Sequence, residues 1–306
     1  MRKVIGVGET ILDIIFENSK PSAAVPGGSV FNAMISLGRL KIPVEFISEI
    51  GNDKVGAIIK SFMEENNLTT KYIDIFPDGK SAISLAFLNT NNDAEYLFYK
   101  DYPKQRLDVP FPMINDSDIV MFGSYYAINP TLRERIVELM DYATQRRAII
   151  YYDPNFRISH AHDSIRLAPS ILENLEYASI IRGSDEDFYN LFKLNDVDKI
   201  YDQKIKFYCP NFICTLGAKG VELRTNSIRK HYEVPVIQPV STIGAGDNFN
   251  AGLTYGLLKL NISRNEIDSL SESAWDKIIG YAIDFSSSVC QNYENYISKE
   301  FAEQVV

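Results

Sequence analysis

The sequence predicts an α/β fold with a mostly parallel sheet, on three observations. Short apolar runs alternate with helical patterns, the runs stop at Gly, Ser or Asp-Pro, and one internal stretch breaks the alternation with hairpin chemistry. "KVIGVG" and "VEFISEIG" read as buried strands. "SVFNAMISLGRL" spaces Phe31, Ile35, Leu37 and Leu40 near the helical period, with Gly38 close to its end, and "DKVGAIIKSFMEENN" reads as a second helix. Further on, "DIVMFGS", "AIIYYDPN", "ASIIRGS" and "NFICTLG" are short apolar runs with helical patterns between most of them. Strands covered on both faces read as continuous apolar runs, as these do. The exception is "YIDIFPDGKSAISLAFLNTNNDAEYLFYK", whose Pro-Asp-Gly and Asn-Asn-Asp turns are antiparallel chemistry. It reads equally as a flap over one end of the sheet and as an edge hairpin.

Composition narrows the class. With 306 residues, 45% of them hydrophobic, the chain supports a sizeable core, and without repeats or linkers a single domain over 1–306 is expected. A net charge of −9 disfavours broad binding to nucleic acid or anionic membranes. The opening "MRKVIGVGETILDIIF" has only a short apolar run, broken by Gly6, Gly8, Glu9 and Asp13, so neither a leader nor a span is expected. Cys209, Cys214 and Cys290 show no paired metal spacing, and an odd number suits reduced thiols in a cytoplasmic protein.

"STIGAGDNFNAG", residues 241 to 252, places Gly244, Ala245 and Gly246 before Asp247 and then turns apolar and helix-like. Small residues leave backbone N–H groups uncovered, and a following helix adds its positive N-terminal end. Together they suit an anion, most naturally a phosphate. A carboxylate repels phosphate but could accept a proton from a substrate hydroxyl. The alternative is a glycine-rich turn with Asp247 as a plain cap. No Lys-Ser or Lys-Thr follows, so this is not a P-loop, and the run comes late and lacks the third glycine of a dinucleotide fingerprint.

The run resembles the C-terminal signature of the ribokinase-like, phosphofructokinase-B type (PfkB) carbohydrate kinases. Three more landmarks follow the family's order: Asp13 in "GETILD", Gly27, Gly28 and Asn32 in "PGGSVFN", and Thr215, Gly217 and Gly220 in "TLGAKG". The resemblance implies the ribokinase-like three-layer fold with a small β lid, built from segments near 10–25 and 72–100. It implies that Asp247 is the catalytic base and that Gly244, Ala245 and Gly246 form the anion hole. Asp13, Gly27, Gly28 and Asn32 would bind sugar hydroxyls, and Thr215, Gly217 and Gly220 the nucleotide phosphates. A C-terminal helix around Ile278 to Cys290, with Ser286 to Ser288, would flank the adenine. "YYDPNFR" is similar to a segment of the fructokinase and ketodeoxygluconate kinase branch and puts Arg157 near substrate or phosphates. Lys100 stands where that branch carries an arginine beside its flap, replacing a planar contact by a point charge.

Two positions depart from the family pattern. Ser241 replaces the Asp that opens the signature and belongs to a monovalent-cation loop, which argues against potassium activation. In "SDED", Ser184 and Asp187 replace the family's Asn and Glu; Asp187 rather than Glu186 keeps the register of the acid, and a role for it with Mg2+ through water is expected. The expected activity is phosphorylation of a sugar hydroxyl by Mg–ATP, first of all fructose to fructose 6-phosphate. Kinases of the same family acting on ribose, a ketodeoxy acid or a nucleoside, and a sugar-binding regulator without catalysis, are the alternatives. The resemblance also implies a homodimer formed through the lids.

Overall fold

The computed structural model describes residues 2–17, 19–88, 94–101, 106–158 and 163–305. The apolar runs become strands β1 (Val4–Val7), β2 (Ile11–Glu17), β3 (Lys20–Gly27), β4 (Val44–Gly51), β5 (Ile73–Phe76), β6 (Lys80–Leu88), β7 (Ala94–Asp101), β8 (Ile119–Gly123), β9 (Ile149–Asp153), β10 (Ile180–Ser184), β11 (Phe212–Thr215), β12 (Val221–Arg224) and β13 (Arg229–Tyr232). The helical patterns become α1 (Ser29–Arg39), α2 (Lys54–Glu65), α3 (Arg133–Gln145), α4 (Ser164–Tyr177), α5 (Asp185–Phe192), α6 (Val197–Ile200), α7 (Ala245–Lys259), α8 (Glu272–Cys290) and α9 (Lys299–Val305).

A nine-stranded sheet runs β13-β12-β11-β10-β9-β8-β1-β4-β5. Every pairing from β11 across to β5 is parallel, and β12 and β13 close one edge antiparallel. Successive side chains point to opposite faces, which gives three layers. Ile119 and Met121 of β8 join a core with α1, α7 and α8, while Val120 and Phe122 join a second core with α3. Helices on both faces explain why these strands read as continuous apolar runs.

The second sheet has the order β3-β2-β6-β7. β6 and β7 pair antiparallel, β2 and β3 pair antiparallel, and β2 joins β6 in parallel. The Asn-Asn-Asp turn between β6 and β7 lies outside the described residues. The hairpin reading of residues 72–100 needs one correction: β5 pairs parallel with β4 in the large sheet, so Pro77, Asp78 and Gly79 link the two sheets instead of turning a hairpin.

α7 and α8 pack at close range because α7 has glycines where α8 crosses. A methyl group on Gly252 would lie 2.5 Å from the carbonyl oxygen of Tyr281 and 2.7 Å from the Cα of Ala282. Both are backbone atoms and cannot turn aside, so α8 would have to move. We expect Gly252→Ala to lower unfolding free energy in urea by about 1–3 kcal/mol, the usual cost of overpacking. A midpoint equal to that of the parent chain would show that the contact is not tight.

Candidate active site

The parallel strands deliver their carboxyl ends to one side of the sheet, where open α/β sheets hold their ligands. β9 ends at Asp153, β10 at Ser184 and β11 at Thr215. The first turn of α7 approaches the same region: a methyl group on Gly246 would meet Nη1 of Arg182, a β10 residue, at 3.0 Å.

Asp247 is placed by two helix starts. Gly244 precedes α7 at φ 77°, a left-handed conformation suited to glycine, and a methyl there would lie 2.7 Å from the Asn295 carbonyl. Asp247 then falls in the first helical turn, where a negative side chain is favoured. α1 begins after Gly28, at φ 133°, where a methyl would collide with the Glu9 carbonyl. Ser29 and Asn32 are three residues apart and so share a face of that helix. Ser29 Oγ donates to Asp247 Oδ1 at 2.9 Å, and Asn32 Nδ2 donates to Oδ2 at 2.7 Å. Both carboxylate oxygens are thereby fixed. Asn32 is 5% exposed, and its Oδ1 is buried with no hydrogen-bond partner. Only the NH2 end of an amide can donate to a carboxylate, so the unpartnered end is an acceptor that lacks a donor. A buried polar atom without a partner is costly, and a ligand hydroxyl would supply one.

Asp13 on β2 stands close enough to Asp247 for their charges to interact. Ser84 of β6 donates its hydroxyl to Asp13 Oδ1. Burial pushes the Asp13 carboxyl up to about 6, with Ser84 opposing and Asp247 adding to the rise. Burial likewise pushes Asp247 up to about 6, against the bonds from Asn32 and Ser29. A methyl on Gly27 would lie 2.6 Å from Asp13 Oδ2, so this position has no room for a side chain. The exposed Arg157 donates to Asn155 Oδ1 at 3.2 Å, and its charge favours ionisation of both carboxyls. Lys100 on β7 is ion-paired with Glu9 at 2.9 Å, and Glu9 in turn acts on Asp13.

The residues expected at the nucleotide lie across the sheet ends. "TLGAKG" forms the turn between the antiparallel β11 and β12, with Gly217 at φ 58° and Gly220 at φ 107°. Gly217 has open space where a side chain would stand. Ser184 caps α5 in a reciprocal box with Asp187: Asp187 N donates to Ser184 Oγ at 3.1 Å, and Ser184 N donates to Asp187 Oδ2 at 2.8 Å. Burial raises Asp187, and Asp153 adds to the rise. In the anion turn, the Ala245 N–H donates to the Thr242 carbonyl at 3.2 Å. Among the described residues the amides of Gly244, Gly246 and Asp247 carry no such bond. The open set therefore exchanges Ala245 for Asp247 relative to the sequence expectation. Ser241 accepts from the Ile243 N–H at 3.2 Å and so shapes the loop before the turn.

Several side chains in contact with this region escaped the sequence reading. Ser29 is one; its signal was its place one helical turn before Asn32. Asp153 and Asn155 belong to the Asp-x-Asn-x-Arg segment read for Arg157, but that reading assigned a role to the arginine alone; Asp153 accepts from Arg182 and Asn155 donates to Ser29. Arg182 is the fourth, and its signal was a charge inside the apolar run "ASIIRGS".

The profile of the pfkB family carbohydrate kinases matches residues 1–298. The chain belongs to the pfkB family. Its enzyme class is that of an ATP-dependent carbohydrate kinase. A fructokinase of Rhizobium leguminosarum bv. trifolii is 27% identical over 281 residues, covering 89% of this chain and 85% of that protein. A probable fructokinase-4 of Arabidopsis thaliana is 25% identical over 265 residues, covering 82% and 80%. The structure of a Xylella fastidiosa fructokinase with bound ATP superposes with a TM-score of 0.84 at 17% identity, covering 100% and 98% of the two chains. An aminoimidazole riboside kinase of Salmonella enterica gives 0.81 at 21% identity, covering 99% and 98%. These two likenesses show that the fold is shared along nearly the whole chain.

Asp247 in this pfkB kinase can accept a proton only when ionised. The expectation that Asp247 is the base therefore predicts that turnover falls as pH drops through about 6, where Asp13 titrates as well, so that the measured value belongs to the pair. Ser29→Ala removes a bond that favours the carboxylate and should move this acid limb up by about one pH unit. A kcat profile whose limb stays in place in Ser29→Ala would contradict the assignment of the limb to Asp247.

Proposed function

We propose that this pfkB kinase transfers the γ-phosphoryl group of ATP to a hydroxyl of fructose, giving fructose 6-phosphate. The observation that carries the reading is the Asp247 carboxylate, gripped by Ser29 and Asn32 at the start of an anion-binding turn and facing a second carboxyl, Asp13. The acceptor hydroxyl gives its proton to Asp247. Its oxygen bonds to the γ-phosphorus, and the bond from that phosphorus to the β–γ bridging oxygen breaks, releasing ADP. Asp13 and the unpartnered Oδ1 of Asn32 accept from other sugar hydroxyls, and Gly27 and Gly28 let the ring approach the main chain. Lys100 and Arg157 border the sugar. Open amides at Gly244, Gly246 and Asp247 stabilise the charge that develops on the phosphoryl oxygens. Thr215, Gly217, Gly220 and Ser184 border the nucleotide. The relatives named fructokinase support the choice of sugar.

Among the described residues no group of three His, Cys, Asp or Glu side chains could hold a metal. Ser184 holds Oδ2 of Asp187, and its other oxygen would reach, through water, a magnesium ion arriving on the nucleotide. Magnesium usually keeps waters and substrate phosphates as ligands, and it would neutralise phosphate charge. The small sheet would close as a lid and exclude competing water. β7 leaves Leu97, Phe98 and Tyr99 47%, 66% and 53% exposed, which supports association of two copies through this sheet. Three buried free cysteines support a reducing cytoplasm.

A coupled assay across fructose, ribose, ketodeoxygluconate and a nucleoside tests the acceptor, with the highest kcat/KM expected for fructose. Asp247→Asn should cut turnover by about 10²–10⁴-fold, the range for a lost general base, while calorimetry finds sugar and ATP still bound. Near-parental turnover in Asp247→Asn, or no turnover with any sugar by the parent chain, would overturn the reading.

The cation reading is tested separately. Ser241 supplies a neutral dipole where relatives carry a carboxylate, so potassium chloride titrated against a bulky organic cation at constant ionic strength should leave the rate flat. A rise of about tenfold or more with potassium alone would show that Ser241 has not disabled the site and would overturn this reading.

A further inference from the structure

A continuous hydrogen-bonded chain connects the nucleotide side of the site to the base. Arg182 Nη2 donates to Thr215 Oγ1 at 2.7 Å, and Nη1 donates to Asp153 Oδ2 at 2.9 Å. The Asn155 N–H donates to Asp153 Oδ1 at 3.0 Å, and Asn155 Nδ2 donates to Ser29 Oγ at 3.0 Å. Ser29 Oγ then donates to Asp247 Oδ1. The pieces come from β11, β10, β9, α1 and α7, so this chain of contacts ties the ends of three strands to two helix starts. Its centre is dry: the Arg182 and Asp153 side chains are 6% and 2% exposed.

We propose that Arg182 is the positioning residue that holds the nucleotide loop, the phosphoryl-receiving turn and Asp247 in one register. The inference rests on the reading of the Gly244 to Asp247 turn given above. Three observations carry it. Arg182 lies against that turn, with Nη1, Nη2 and Cζ at 3.0, 3.1 and 3.5 Å from where a Gly246 side chain would begin. It is therefore Arg182, not a left-handed backbone, that crowds a side chain at 246. The guanidinium also lies 5.3 Å from the ring centre of Phe249 on the next turn of α7, so its position along that helix is fixed from two sides. Finally, a guanidinium has the planar fork needed to bond two residues on neighbouring strands at once, and a lysine has not. Burial would push Arg182 down, but Asp153, Tyr151 and Asp187 outweigh it and the group stays charged. A fixed positive charge beside the turn adds to the open amides just where charge accumulates during transfer.

A chain of contacts is not by itself evidence of coupling, so the test must read assembly of the site. The probe is ADP with aluminium fluoride and fructose, which imitates the phosphoryl group in flight, compared with ADP alone by calorimetry. In the parent chain the imitation should bind at least about 10²-fold tighter than ADP, as transition-state analogues do. In Arg182→Lys most of that tightening should disappear, kcat should fall by a similar factor, and the Kd for ADP alone should stay within about threefold, because only the register is lost. Thr215→Val is the second variant should Arg182→Lys fail to fold: it removes the acceptor of Arg182 together with the Thr215 bond to the Gly183 carbonyl, and it should lose part of the tightening relative to its own Kd for ADP alone. Full tightening in a folded Arg182→Lys, or in Thr215→Val where the first variant does not fold, would overturn the role of Arg182. Absence of tightening in the parent chain would instead overturn the reading of the turn on which the proposal stands.

Discussion

The buried ion pair between Arg182 and Asp153 is the constraint around which the carboxyl end of the sheet is arranged. Removing two charges from water costs several kcal/mol each, and attraction alone does not reliably repay it. Here the remaining valences are mostly filled. Asp153 Oδ2 also accepts from Asn250 Nδ2 at 2.6 Å, and Asn250 Oδ1 accepts from the Tyr151 hydroxyl at 2.7 Å. The pair thus recruits α7 a second time, through Asn250, besides the close approach at Gly246. Residues that look unrelated in the sequence are consequences of one another. The guanidinium crowds position 246 and donates to the Thr215 hydroxyl, and its partner Asp153 accepts from the Asn250 amide.

The two carboxyls of the cleft represent a different kind of cost. Asp13 and Asp247 both titrate in the fold at about 6, above the usual carboxylate value. A folded-state value raised above the unfolded one means that the fold favours the protonated form. Their contribution to stability is therefore greatest at low pH, declines as pH rises through the window from about 4 to 6, and stays a constant penalty at neutral pH. A site with two ionised carboxyls and an unpartnered amide oxygen is incomplete without donors. On the proposed reading a polyhydroxylated ligand would supply them, and part of its binding energy would come from pairing Asn32 Oδ1.

The fold was legible because its signals are repeated. Each parallel strand is an apolar run, each crossover a helical pattern, and one misread segment did not disturb the rest. β5 was misread because "YIDIFPDGKSA" has hairpin chemistry locally, whereas the pairing of β5 with β4 is decided by packing 25 residues away. Asp247, Asn32 and Asp13 were legible from motif, and the structure brings them into one cluster. Ser29, Asp153, Asn155 and Arg182 were not. Each acts through a partner more than 25 residues distant in sequence, and spacing rules such as the helical period describe only neighbours on one element. Arg182 left a trace, a charge inside a buried strand, but nothing in "ASIIRGS" says that its partner is Asp153.

The departures from the family pattern take on a local meaning in this setting. Ser184 caps α5 and holds Oδ2 of Asp187 in return, so one oxygen of that acid is committed to the helix start, and its charge acts on that of Asp153. Around the buried guanidinium the donor side thus holds Asp153 and Asp187 against one cation, and Asp247 adds a third carboxyl in the first turn of α7. Side-chain charge in this region is net negative, as is the whole chain at −9. A triphosphate cannot be drawn here by that charge. On the proposed reading its affinity would come from the amides at the start of α7, from the Arg182 charge beside them and from cations that travel with the nucleotide. The same arrangement suits the base proposed at Asp247. Its nearest partners, Ser29 and Asn32, are neutral donors, which orient a carboxylate without neutralising it.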